Sequence, residues 1–337
     1  MIEGVLWSIF AGLMLGLYAL PEKFTKEFEF ENTWGLFFAI NTFIIPNIAV
    51  YFLVDNFGDI LAAVPTNVMI GMAVASFLWG IGVMMWGKAI NYIGLSLGFS
   101  LFIGTIILIG SLIPFMIDGI PEFQVFATIM LGILIVLFGV MSNGRAGLLK
   151  QKEDDKGEEV KSDNMITGIS IAVVGGLLAT GFNYANSVGA GVIHEASVAA
   201  GNPEWVSAII VMYIIYVFGG ISIASYFSYQ LTKKKLWSNF VTPQFPRNTV
   251  LATVMGIFNF SASALFGFAA FTLGSTGGTV GYAIFNTVSV GVAIVGGIIT
   301  KEWITAPKKA KTSLYLGLAC MIVGITVIAF GNSLGTV

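Results

Sequence analysis

Apolar residues run in long blocks along this chain, and polar and charged residues are confined to the gaps between them. A helix needs about 20 apolar residues to cross a bilayer. Ten blocks reach that length, at 4–21, 34–54, 67–87, 92–114, 124–142, 165–187, 205–230, 249–272, 279–300 and 313–333. The pattern predicts an all-α membrane protein with one membrane-spanning helix at each block. The fourth and sixth blocks leave room for an internal break.

The stretch Leu78–Phe102, LWGIGVMMWGKAINYIGLSLGFSLF, reads as the end of the third span, a tight turn and the start of the fourth. Its glycines at 80, 82, 87, 94 and 98 let helix backbones approach closely in lipid, with Trp79, Trp86 and Tyr92 set among them. A fainter copy follows in the second half, at Leu265–Phe285. Gly87 matches Gly267 and Gly94 matches Gly274 at one offset, and Gly98 matches Gly281 after a three-residue insertion. A hairpin repeated in each half of a membrane chain points to a transporter built from internal repeats.

Charge sharpens this picture. All sixteen Lys and Arg residues fall in the gaps after the odd-numbered spans. The opposite gaps carry Glu3, Asp55, Asp59, Asp118, Glu122, Glu195 and Glu204 and no basic residue. The basic side is therefore expected to be cytoplasmic, with both termini outside. Residues 143–164 end in the charged run KQKEDDKGEEVKSD and read as a solvated cytoplasmic linker. They separate a first five-helix repeat, 1–142, from a second, 165–337. Five is odd, so the second set enters the membrane from the opposite side, and the repeats are expected to have inverted topology. Lys88, in the central hairpin's turn, is expected at the surface, because a lysine at a span centre costs about 2.5–3.5 kcal/mol.

Composition narrows the chemistry. The chain is 56% hydrophobic and 10% charged, against about 25% charged in soluble domains. No cleavable leader is expected, and the first apolar block reads as a permanent span. One cysteine, Cys320, excludes an intrachain disulfide, and one histidine without a Cys/His cluster argues against a metal site. No deep carboxylate pair or nucleophile–base set is evident, so an enzyme is not expected, nor is a cofactor. Filter-like or charge-ring motifs of a channel are also missing.

The stretches LYALPEKF (17–24), LWGIG (78–82), WGKAINYIGLSLG (86–98), GLLATGFNYANSVG (176–189), GVIHEASVAAGNP (191–203) and KEW (301–303) resemble the L-rhamnose–proton symporters of the drug/metabolite transporter superfamily. The resemblance runs nearly end to end. It implies an alternating-access carrier of the bacterial inner membrane that imports a neutral deoxy-sugar with protons, sodium being the other candidate ion. The implied partners are the sugar, the ion and the bilayer, with no nucleic acid; a monomer is expected. Spans eight and nine depart from the enterobacterial pattern. They carry Asn259, Ser261, Ser263 and Asn286 where those members are richer in Gln, Trp, Tyr and His, which puts the identity of the sugar in question. Carriage of another sugar or small metabolite is the alternative.

A deoxyhexose site needs amide and hydroxyl groups for the sugar hydroxyls and aromatic surface for its apolar face. Asn183 and Asn186, three apart in span six, share a helix face, from which Tyr184 points away. Tyr18 in span one and Trp79 in span three are candidate platforms, and Asn259, Ser263 and Asn286 are further polar contacts. Each also reads as helix–helix packing or interfacial aromatic. His194 and Glu195, placed beyond span six on the outer side, are the candidate proton-coupling pair.

Overall fold

The computed structural model describes residues 2–154, 162–274, 277–299 and 303–334. Residues 155–161 of the charged linker, the Ser275–Thr276 pair of the second hairpin and Lys301–Glu302 of the KEW stretch lie outside the described residues; the rest of the linker is helical, continuing span five to Asp154 and opening span six at Ser162. Among the described residues every regular element is helical. Ten helices are long and apolar enough to span a membrane, one for each predicted block: Ile2–Phe24, Phe30–Leu53, Thr66–Ala89, Ser100–Ile117, Phe123–Lys150, Met165–Ala199, Val206–Lys233, Phe245–Thr272, Gly277–Ile299 and Lys308–Leu334. The chain is a multi-pass membrane protein.

Several spans differ in detail from their hydropathy. Span two is interrupted by a π-helical turn, Ile40–Ile44, just ahead of Pro46. Proline has no N–H to donate, and the widened turn absorbs the missing bond. Helical backbone continues from Thr66 to Asp118, through the expected turn between spans three and four. It nevertheless folds back. Met85 and Phe102 both pack where a Cβ on Gly175 would sit, and Ile93 packs on Gly168. The reversal therefore lies between Ile93 and Phe102, later than the turn predicted around Lys88. Lys88 itself is exposed, as expected. Span six holds the break that its sequence left room for: helix Ser162–Ala179 ends at Thr180 and helix Gly181–Ala199 resumes. That second helix carries the span well beyond its predicted end at 187.

Small residues set the helix crossings. Span one lies on spans eight and nine, span six on spans three and four, span two on span seven, and span five on span ten. At the last crossing Gly132 faces Gly324 and Gly139 faces Gly317, each close enough for a Cβ to meet the partner's carbonyl oxygen at 2.8–2.9 Å. Span one abuts span nine through Gly12 on Val288 and Gly16 on Val292. Span six reaches span four through Gly176 on Thr105. Lipid tails are as apolar as the helices, so van der Waals contact of this kind drives association in a membrane.

Each end of the bundle carries a two-pronged asparagine clasp. At one end Asn248 Nδ2 donates to Lys26 O at 2.8 Å, and Lys26 N donates to Asn248 Oδ1 at 3.2 Å. Lys234 pairs with Glu31, and Lys150 lies over the Trp303 ring. Around the acidic loops Asp55 N donates to Asn202 Oδ1 at 2.9 Å, and Asn202 Nδ2 returns to Asp55 O at 3.0 Å. Both asparagines are buried.

Candidate functional site

The densest polar cluster inside the bundle joins spans two, seven and eight. The π-helical turn turns Asn41 inward, where its Nδ2 donates to Asn259 Oδ1 at 2.9 Å. Tyr216 Oη donates to the same Oδ1 at 2.7 Å and lies 2.7 Å from Ser263 Oγ. A phenol has one proton, so with that proton on Asn259 the Ser263 hydroxyl is the donor to Tyr216. Asn259 and Ser263 are one helical turn apart, which lets a single phenol serve both. Asn41 Oδ1 is buried without a donor, and such a group costs about 1–3 kcal/mol until something bonds to it.

Aromatic rings wall this cluster. Trp79 lies 5.5 Å from Tyr216 and 5.5 Å from Phe182, ring centroid to centroid. Phe260 meets Tyr216 edge-on at 5.2 Å. Donors and acceptors beside partly exposed indole surface match the requirements of a sugar hydroxyl pair and a sugar's apolar face.

Of the seven nominated binding residues, Trp79, Asn259 and Ser263 meet here. Tyr18 packs in an aromatic group with Trp34 and Phe37, against which Trp79 also leans. Asn183 sits apart. Its Nδ2 donates to Gly110 O at 2.8 Å and to Gly278 O at 3.2 Å, tying span six to spans four and nine. Its Oδ1 has no donor, nor does Asn186 Oδ1, which faces Gly267 of span eight. Tyr184 is exposed, pointing away from both asparagines as its spacing predicts. Asn286 spends its amide on Tyr282 O of its own helix.

His194 and Glu195 belong to the last turns of span six rather than to a segment beyond it. The two diverge. The His194 ring packs tilted on Phe271 with 3.9 Å between centroids, and its Nδ1 lies 3.1 Å from Ser207 Oγ. Glu195 points outward and is exposed.

Sequence reasoning missed Asn41, Tyr216 and Ser207. Asn41 had a signal, the Asn-Thr pair buried in an apolar block five residues before a proline. Tyr216 had none, being one aromatic among the apolar residues of span seven. Between spans one, two, seven and eight runs a larger groove of about 700 Å³, lined by Trp7, Phe10, Phe260 and Ser261 among others. Its walls are nearly all apolar and offer a sugar little.

L-rhamnose-proton symporters of Escherichia coli strain 55989, E. coli O8 strain IAI1 and Shigella boydii serotype 18 are each 24% identical to the chain, over 97% of its length and 97% of theirs. The profile of the L-rhamnose-proton symport protein (RhaT) family matches residues 1–334. With that match over almost its whole length, the chain belongs to the L-rhamnose-proton symport protein family, which consists of transporters and not enzymes.

Proposed function

We propose that the protein imports L-rhamnose together with protons, by alternating access, across the bacterial inner membrane. The observation that carries this reading is the family match over residues 1–334, joined by relatives named for that activity. The cluster of Asn41, Tyr216, Asn259 and Ser263 beside Trp79 supports a neutral polyhydroxyl substrate, because it offers amide and hydroxyl groups without a charged side chain. Asn183, Asn186, Tyr18 and Asn286 are the remaining candidates for substrate contact, and His194 with Glu195 those for proton coupling.

Membership of the drug/metabolite transporter superfamily and a build of two inverted five-helix repeats are part of the same proposal. The packing supports the repeat. Exchanging spans one to five for spans six to ten turns the contacts of span one with eight and nine into those of span six with three and four. The same exchange maps the two–seven and five–ten pairs onto themselves. The grouping of Lys26, Lys150 and Lys234 contacts at one end, and of Asp55 at the other, supports a cytoplasmic basic face with both termini outside.

Uptake of labelled L-rhamnose into proteoliposomes, with and without an inward proton gradient, tests the reading. Accumulation against the sugar gradient only when protons flow inward is expected. Simple equilibration, accumulation driven by sodium, or preference for fucose or lyxose in a competing panel overturns the corresponding part of it.

A further inference from the structure

Between Asn186 and His194 on span six, span seven contributes Ser207 and span eight Phe271, and the three helices leave a small gap. The gap is lined by Asn186, Ala190, Ser207, Val211, Gly267 and Phe271, with about 10 Å³ of room for the centre of a water molecule. A single water occupies about 10–15 Å³ as a probe sphere, so the gap has room for one. Two polar side chains line it. Asn186 Oδ1 is buried and has no donor. Ser207 Oγ donates its only proton to Glu204 O at 2.5 Å.

That donation fixes the histidine. With its proton spent, Ser207 Oγ meets His194 Nδ1 at 3.1 Å as an acceptor, so Nδ1 must carry a hydrogen. Nε2 then keeps the lone pair. A proton arriving at Nε2 converts the ring to imidazolium without breaking the bond to Ser207, and makes that bond charge-assisted.

We propose that Ser207 is a positioning residue that holds His194 with Nε2 as its proton-accepting atom, and that one water bridges Ser207 Oγ to Asn186 Oδ1. The water donates one hydrogen to each oxygen. The proton enters from outside onto Nε2, forming one N–H bond, and leaves by the same atom when the site faces the other compartment. The charge on the ring reaches Asn186, and so the asparagine face of span six, through three hydrogen bonds. Glu195 on the same helix, Glu204 ahead of span seven and Asp59 in the short helix Phe57–Ala63 are exposed acids near this end, while span eight presents Phe271. This inference assigns the proton to His194 rather than Glu195 and rests on the proton-coupled reading above.

His194 is the chain's single histidine, so isotope-labelled histidine in the purified protein gives one imidazole signal in nuclear magnetic resonance. The neutral ring is expected as the Nδ1–H tautomer in the wild type and as the Nε2–H tautomer, which the free histidine side chain favours, in Ser207→Ala. Ser207→Thr should restore the wild-type form. Asn186→Leu should keep the tautomer while abolishing proton-driven accumulation of rhamnose, as should Ser207→Ala. A wild-type Nε2–H ring, a tautomer indifferent to Ser207→Ala, or full proton-driven accumulation in either variant overturns the proposal. A wild type that moves no rhamnose overturns the function proposed above, while the imidazole signal still decides how His194 is held.

Discussion

The indole of Trp86 stacks on the ring of Phe102 with 6.2 Å between centroids and 29° between planes. On a straight helix these residues would lie roughly 24 Å apart at 1.5 Å per residue. The stack therefore pins spans three and four back to back and sets the register in which they meet span six. Replacing Trp86 by Ala should lower stability by about 0.5–1.5 kcal/mol beyond the lost area, read as a drop in Tm of the detergent-solubilised protein. A Tm unchanged from wild type would mean that the stack does not hold the hairpin.

Tyr216→Phe removes one hydroxyl and little volume. Asn259 Oδ1 loses a donor and Ser263 loses its partner. Interhelical hydrogen bonds in membranes are worth about 0.5–2 kcal/mol, so the fold should survive. The larger effect should be on substrate, with KM for rhamnose rising by about five- to thirtyfold if the cluster binds the sugar. Unaltered KM would move the binding site elsewhere in the bundle.

Asn183→Leu should behave in the opposite way. Its two bonds reach backbone carbonyls on two other spans, so the loss falls on assembly, by about 1–2 kcal/mol. Sugar affinity per folded molecule should change less than in Tyr216→Phe. A steep rise in KM at unchanged Tm would instead make Asn183 a ligand contact.

Two glycines give a paired test of the crossings. A Cβ on Gly139 would meet Gly317 O at 2.8 Å and Met321, whereas one on Gly71 meets nothing within 4 Å. Gly139→Val should abolish accumulation of folded protein. Gly71→Ala should be neutral or raise stability by up to about 1 kcal/mol through helix propensity. Equal expression and Tm for both variants would contradict the close packing of spans five and ten.

The Lys234–Glu31 pair joins the start of span two to the end of span seven at the basic end of the bundle, with the lysine half exposed. Surface pairs are worth about 0.2–1 kcal/mol and weaken with salt. Glu31→Gln should therefore shift Tm slightly at low salt, converge with wild type at high salt, and leave transport rates unchanged. A variant that loses transport would show the pair to be part of the working cycle.

The ten spans were legible because lipid imposes a coarse rule, a long apolar block for each crossing, that needs no tertiary information. Features that depend on one helix meeting another were not. The π-helical turn at Asn41 follows from Pro46, yet what it turns toward is decided by span eight, more than two hundred residues later. Span six outran its predicted end because His194 and Glu195 dilute the hydropathy of GVIHEASVA, although helix propensity continues through it. The same polarity set the pair apart as chemistry, while its environment, Ser207 on one side and Phe271 on the other, belonged to other spans. Trp79, Asn259 and Ser263 could be nominated as polar or aromatic exceptions in apolar helices. Tyr216, which joins the last two, looks in sequence like any other apolar-span aromatic.

The clasps of Asn248 on Lys26 and Asn202 on Asp55 bear on the energy of turnover. Both are fastened in one conformation, at opposite ends of the molecule. Each consists of two neutral hydrogen bonds, so undoing one costs about 1–3 kcal/mol. A carrier that unlocks only one doorway at a time would then need no large external work to choose between them. The free energy gained on docking a small guest more tightly in one arrangement would tip the choice, and the cell's gradient would only have to bias the direction of travel.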